Sequence, residues 1–296
     1  MEGLSSPVVR VVRDIRETGE MIAFKHSIFA LPFAVISLIT AAAPSWPTLA
    51  TWVWVTVAMV SARTSAMAFN RLADHSIDAK NPRTADRALP SGRLDRRFAW
   101  CVTGLSAMVF LIAAAALNPL CLALAPLTLA ILLGYSFSKR FTSASHLWLG
   151  CALGMAPIGA WLAVTGRIDW PPVALGAAVC LWVAGFDIIY SLQDEIFDRE
   201  NGLHSFPAHF GGRRALTAAR ACHVLAFFGF VVFAVSAGGG PLRLGAVAVA
   251  GGLLAWQHRL ISADDLSSVD AAFFSANGAL ALMMGTLFII ARALGS

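Results

Sequence analysis

The chain is 296 residues long, 58% hydrophobic and only 13% charged, with a mean hydropathy of +0.71 and a formal net charge of +5. Soluble domains carry about 25% charged residues, so composition excludes an ordinary soluble protein. Cys101, Cys121, Cys151, Cys180 and Cys222 all fall in apolar stretches without a C-x-x-C, which excludes a disulfide framework and reads as packed thiols.

Residues 1–20 mix Arg10, Arg13 and Arg16 with Glu2, Asp14, Glu17 and Glu20. They read as an extramembrane or amphipathic lead-in, with no secretory cleavage pattern behind them. Apolar stretches then recur over roughly 21–43, 47–69, 97–117, 119–138, 144–164, 172–192, 215–237, 241–260 and 270–293. Each is near the ~20 residues that cross a hydrocarbon core. Some are joined by turns as short as Leu117-Asn118-Pro119, so the count is eight or nine. No β-barrel alternation is visible. The expectation is an all-α polytopic membrane protein of about nine transmembrane helices, folded as a single domain over 1–296 with no separate soluble module. Chemical motifs after the second and sixth stretches hint at a duplicated four-helix unit.

The basic residues orient this bundle. Eighteen Lys and Arg fall on the side of the N-terminus and of the loops after stretches 2, 4, 6 and 8; three fall on the other side. That asymmetry makes the charged side cytoplasmic, as in a bacterial inner membrane. The net positive charge thus reflects topology and gives no nucleic-acid reading.

Arg63 lies inside the second stretch and needs an anion: Asp187, a diphosphate or a substrate carboxylate. Seven residues on begins Asn70-x-x-x-Asp74-x-x-x-Asp78, whose spacing places all three side chains on one helical face, together with Arg63. The loop Asn70 to Arg97 holds seven basic residues and four aspartates, and contains the turn formers Asn81-Pro82-Arg83-Thr84 and Leu89-Pro90-Ser91-Gly92. Tyr135 and Lys139 share a face at the end of the fourth stretch. After the sixth comes Asp187-x-x-Tyr190-x-x-x-Asp194-x-x-x-Asp198, a second acidic stripe that begins inside an apolar run. An ionisable residue at that depth points to function. Carboxylates crowded on one face repel unless a divalent cation neutralises them. Mg²⁺ takes only one or two carboxylates and completes its shell with water and phosphate oxygens. Two such clusters on a membrane protein point to a lipid-linked diphosphate. His146, His204, His209 and His223 show no metal-ligand spacing and are given no role; His75 lies off the main acidic face, and Asp264-Asp265 reads as a solvated pair.

On these motifs the whole chain resembles the UbiA family of intramembrane prenyltransferases. The run Asn70-Arg71, Asn81-Pro82-Arg83-Thr84, Arg87 and Leu89-Pro90-x-Gly92 is similar to the branch that prenylates quinone precursors, such as 4-hydroxybenzoate or a hydroxynaphthoate. The haem and chlorophyll branches fit less well. The resemblance implies helices around a central cavity, capped by two cytoplasmic loops. It implies Mg²⁺ on Asp74, Asp78, Asp194 and Asp198, with Asn70 assisting. It implies a polyprenyl diphosphate donor held by that metal and by cations and hydroxyls, for which Arg63, Arg71, Arg83, Arg87, Lys139, Tyr135 and Tyr190 are the candidates. Asp187 stands as a candidate base or phenol-orienting group. The rival class is a multi-helix transporter. It needs polar residues near the midplane and access from both faces, whereas here the charge gathers at one face.

Overall fold

A computed structural model describes residues 17, 19, 27–263 and 265–295. The lead-in expected over residues 1–20 lies almost wholly outside them, as does Asp264; Asp265 is exposed and accepts the Ser267 amide hydrogen at 2.9 Å. The main helices are α1 (Ser27–Ala41), α2 (Leu49–Ala73), α3 (Arg96–Leu117), α4 (Pro119–Ser138), α5 (Ser145–Thr165), α6 (Trp170–Ser191), α7 (Gly212–Ser236), α8 (Pro241–Leu260) and α9 (Asn277–Ala293), and among the described residues there is no strand. A π-helical turn, Ala271–Ala276, leads into α9.

The helix ends follow from local chemistry. Thr48, Asp95 and Asn118 cap α2, α3 and α4 with side-chain oxygens, and Pro119 follows Asn118 at the first helical position, where its missing N–H costs nothing. Asn118 also donates to the Leu162 carbonyl at 2.7 Å, tying that turn to α5. Gly166 ends α5 in the left-handed region at φ 63°.

Among the described residues, α3, α4, α5, α6, α7 and α9 with its π turn are long and apolar enough to cross a membrane, and α1 is a shorter apolar helix. The remaining two, α2 and α8, have the length but carry more polar side chains. Arg63, Asn70 and Arg71 lie on α2, and Gln257, His258 and Arg259 on α8. Leu105, Ile112, Leu127, Phe228 and Val235 point outward, a surface that suits hydrocarbon and not water. Cys101 and Cys151 share this exposure, so not all five thiols are packed.

α6 is the inner helix. It packs on α5 and α7, while α1 packs on α5 and α9, and α8 joins α7 to α9. Trp182 of α6 is fully buried and meets Phe33 and Phe186 at 5.1 Å between ring centroids. Its indole N–H donates to Asn277 Oδ1 at 2.8 Å, and Asn277 in turn donates to the Ala272 and Phe273 carbonyls that the π turn releases. The α5–α6 seam is closer still. A Cβ on Gly150 would sit 2.1 Å from the Cys180 carbonyl oxygen, and one on Gly154 2.4 Å from that of Gly176. Small residues four apart let two membrane helices approach backbone to backbone. The C-terminal ends of α2, α4 and α6 meet on one side, with the two long loops over them.

Candidate active site

The acidic motifs do not lie on continuous helices as their spacing suggests. α2 stops at Ala73, Asp74 serves as its C-cap at φ −93°, ψ 7°, and His75–Asp78 forms a separate turn. The second motif breaks likewise: α6 ends at Ser191, a 3₁₀ turn spans Leu192–Asp194, and Glu195–Glu200 is a short helix. The breaks turn each carboxylate toward a basic partner of its own.

Asp74 accepts from Asn70 Nδ2 at 2.9 Å and faces Arg140 at 3.3 Å; the same guanidinium donates to the Ala73 carbonyl at 2.5 Å. Asp78 is gripped by Arg87, whose Nη1 lies 2.8 and 2.9 Å from its two oxygens, and Arg71 stands at 3.9 Å. Asp194 receives a two-pronged clasp from Arg83, Nε at 3.0 Å and Nη2 at 2.5 Å, with Asn81 Nδ2 at 3.1 Å. This joins the first loop to the second. Arg83 also lies over the Tyr190 ring at 5.4 Å. Lys139 Nζ reaches within 3.8 Å of Asp198 Oδ2, and the His204 amide donates to the Lys139 carbonyl at 2.7 Å, so the end of α4 is tied to the second loop.

These side chains surround one pocket of about 180 Å³. Its wall includes Asp74, Asp78, Asp187, Asp194 and Asp198 opposite Arg71, Arg83, Arg87, Lys139 and Arg140, five acids against five bases, with Asn70, Tyr135 and Tyr190 among them. Pockets for whole organic ligands run to about 300–1,000 Å³. This one is smaller, of a size for a polar head group. Arg63 is not in its wall: it sits two turns deeper in α2, about 10 Å along the axis.

Burial, and next the charge of Asp78, push the Asp74 carboxyl above its ordinary range, with Arg140 and Lys139 pulling the other way. Asp198 Oδ2 is buried and accepts no hydrogen bond. Both carboxylates would gain from a cation. Among the described residues, no three acidic, His or Cys side chains form a metal cage by themselves. A donor set of separated carboxylates suits Mg²⁺, which brings water and phosphate oxygens to complete its shell.

The partner of Asp187 differs from the one the sequence offered. It is His146, at 2.6 Å from Nδ1 to Asp187 Oδ2, and the ring's Nε2 accepts the Phe206 amide hydrogen at 3.2 Å. His146 shows no metal-ligand spacing in the sequence and so carries no expected role there; it lies 41 residues from Asp187. Asn81 and Arg140 were also passed over. Asn81 had a visible signal: in an Asn-Pro turn its Oδ1 accepts the Arg83 amide hydrogen at 2.9 Å, an Asx turn that aims its Nδ2 elsewhere.

A model of the UbiA prenyltransferase family matches residues 30–282. The chain is 30% identical over 216 residues to the 4-hydroxybenzoate octaprenyltransferase of Nitrosospira multiformis, covering 73% of this chain and 74% of that protein. It is 26% identical over 272 residues to the protein of the same name from Shewanella halifaxensis, covering 92% and 91%. Among solved structures it superposes on an apo UbiA homologue from Aeropyrum pernix K1 with a TM-score of 0.81 at 35% identity, covering 90% and 97%. It shares the fold of a UbiA homologue from Archaeoglobus fulgidus bound to DMAPP and Mg²⁺, with a TM-score of 0.72 at 18% identity, covering 94% and 99%. These matches remove the transporter alternative. Matched along most of its length, the chain belongs to the UbiA prenyltransferase family and is an integral membrane prenyltransferase.

Proposed function

We propose that the protein transfers a polyprenyl group from a polyprenyl diphosphate to the ring of an aromatic acid, 4-hydroxybenzoate or a hydroxynaphthoate, in the building of ubiquinone or menaquinone. The observation that carries this reading is the ring of five acids and five bases around one pocket at the end of an apolar bundle. Such a site has no net charge. A diphosphate brings roughly three negative charges, which one or two Mg²⁺ ions offset. The names of the curated relatives support 4-hydroxybenzoate as the acceptor, and the DMAPP and Mg²⁺ in the Archaeoglobus relative support the donor and the metal.

In this reading Asp74, Asp78, Asp194 and Asp198 hold the metal, with Asn70 assisting. When bound, Mg²⁺ offsets the charge that develops on diphosphate as the allylic C–O bond breaks. Arg71, Arg83, Arg87 and Lys139 turn from their carboxylates to the phosphate oxygens, and so bind the leaving group more tightly as its charge grows. Ile77, Phe197 and Leu203 join Tyr135 and Tyr190 in the pocket wall and keep water from the allylic carbon. Asp187 faces the same pocket and orients the phenol or takes the ring proton. Arg63, deeper in α2, meets the acceptor's carboxylate or the inner end of the diphosphate. The basic asymmetry supports cytoplasmic loops in a bacterial inner membrane. The positions of the two motifs, four helices apart, support a repeated unit within one domain.

The test is mass spectrometry of products formed by the purified protein with Mg²⁺, a polyprenyl diphosphate and each acceptor in turn. A prenylated 4-hydroxybenzoate or hydroxynaphthoate is expected. No product from either, in active-site-intact protein, would sink the acceptor assignment.

A further inference from the structure

His146 is 2% exposed and Asp187 16% at their side chains, and the two are 2.6 Å apart. His146 stands in the first turn of α5, Asp187 in the last turn of α6. Rigid packing holds both. Gly150, one turn beyond His146, lets α5 close onto the backbone of Cys180, two turns before Asp187. Neither helix can slide without a clash, so the pair is set by the scaffold and not by a mobile loop.

The hydrogen bonds assign the tautomer. The Phe206 amide can only donate, so His146 Nε2 carries a lone pair and Nδ1 carries the hydrogen. Nδ1–H therefore donates to Asp187 Oδ2, and Asp187 lies in the pocket wall with Oδ1 outside that bond. Phe206 opens the short helix Phe206–Phe210 in the second loop. The imidazole thus joins Asp187, on the inner helix, to the loop that carries Asp194 and Asp198.

We propose that His146 is a positioning residue for the acceptor. It fixes the carboxylate of Asp187 through Nδ1–H, so that Oδ1 faces the ring carbon that is prenylated. This rests on the transferase reading above. In the step it serves, the donor's C–O pair leaves with diphosphate and a ring π pair forms the new C–C bond. The C–H pair at that carbon then returns to the ring, and its proton passes to Asp187 Oδ1. His146 keeps its own proton throughout. Without it the carboxylate is free to rotate away, and the Phe206 amide loses its acceptor.

Two amide replacements separate these duties, because an Asn side chain places its N–H near the position of Nδ1 and a Gln side chain reaches that of Nε2. The experiment measures kcat and both KM values for prenyl transfer by wild type, His146→Ala, His146→Asn and His146→Gln. Mg²⁺-dependent binding of geranyl diphosphate serves as the check that each variant is folded. Losing a residue that orients a metal ligand through a hydrogen bond costs about 10–100-fold, and His146 stands behind Asp187 in the same way. His146→Ala should lower kcat by about that factor with the donor KM unchanged, and His146→Asn should restore most of the loss while His146→Gln does not. Should His146→Ala fail to fold, the Asn–Gln comparison still decides. Wild-type kcat in His146→Ala, or rescue by Gln and not by Asn, would overturn the proposal while leaving the transferase reading intact. A wild type that binds donor but yields no product with any acceptor overturns the transferase reading itself.

Discussion

The clasp of Arg83 on Asp194 is the main polar link between the two loops, and its removal has a calculable effect. Arg83→Ala deletes bonds of 3.0 and 2.5 Å and leaves an Asp194 side chain that is only 9% exposed. Breaking one side of a buried ion pair costs about 3–5 kcal/mol. Here the Arg83 side chain is 34% exposed, so water screens part of that, and about 1–3 kcal/mol is the reasonable range. At 1.4 kcal/mol per factor of ten, the open form of the first loop becomes roughly five to a hundred times more populated. The readout is hydrogen–deuterium exchange of the Thr84, Ala85 and Arg87 amides, which bond at 2.9, 2.8 and 3.0 Å to carbonyls within that loop. Their exchange should quicken by that factor at neutral pH without metal or donor, while amides around Trp182 stay protected. Identical exchange in Arg83→Ala and wild type would show that the two loops are held by something else.

Arg63→Lys keeps a charge but loses the planar fork. It should raise the acceptor KM if Arg63 binds the carboxylate, or the donor KM if it meets diphosphate; unchanged kinetics in a folded variant would make it structural. Gly150→Ala drives a Cβ into the Cys180 carbonyl, which is backbone and cannot rotate aside. It should destabilise the α5–α6 seam by about 1–3 kcal/mol, read as a lower thermal midpoint in detergent, and a wild-type midpoint would refute the close contact. In a cysteine-free background, single cysteines at the exposed Ser91 and Asn201 should be labelled only from the cytoplasmic side, and labelling of either from outside overturns the orientation.

Much of the bundle was legible because membrane helices advertise themselves by length and apolarity. Each expected stretch falls on a helix among the described residues, six of them long and apolar enough to cross a membrane and the first a shorter one described only from Ser27. The acidic motifs were legible as a pair because nothing in an apolar chain explains carboxylates at those spacings except shared work. Their local geometry was not. A spacing of four reads as one helical face, and only the backbone reveals that α2 stops at Ala73 and α6 at Ser191. The Arg–Asp pairing depends on how the loops fold back, which residue spacing does not encode. Asp187 was found by its depth, but its partner was not, since His146 belongs to another helix. The Gly150 and Gly154 seam had a readable signal in its small-x-x-x-small spacing. The π turn before α9 had none, because its stabilising contact is Asn277 with Trp182 of a distant helix.

The central claim is that the pocket between the two loops receives a diphosphate together with Mg²⁺. Calorimetric titration of geranyl diphosphate into the purified protein in nanodiscs tests it without relying on turnover. With Mg²⁺ present, wild type should bind, and Asp78→Asn and Asp198→Asn should bind far more weakly. In EDTA, wild-type affinity should fall by roughly a hundredfold, because metal supplies several kcal/mol of charge stabilisation. Equal affinity with Mg²⁺ and with EDTA, or undiminished binding in both variants, would contradict the assignment.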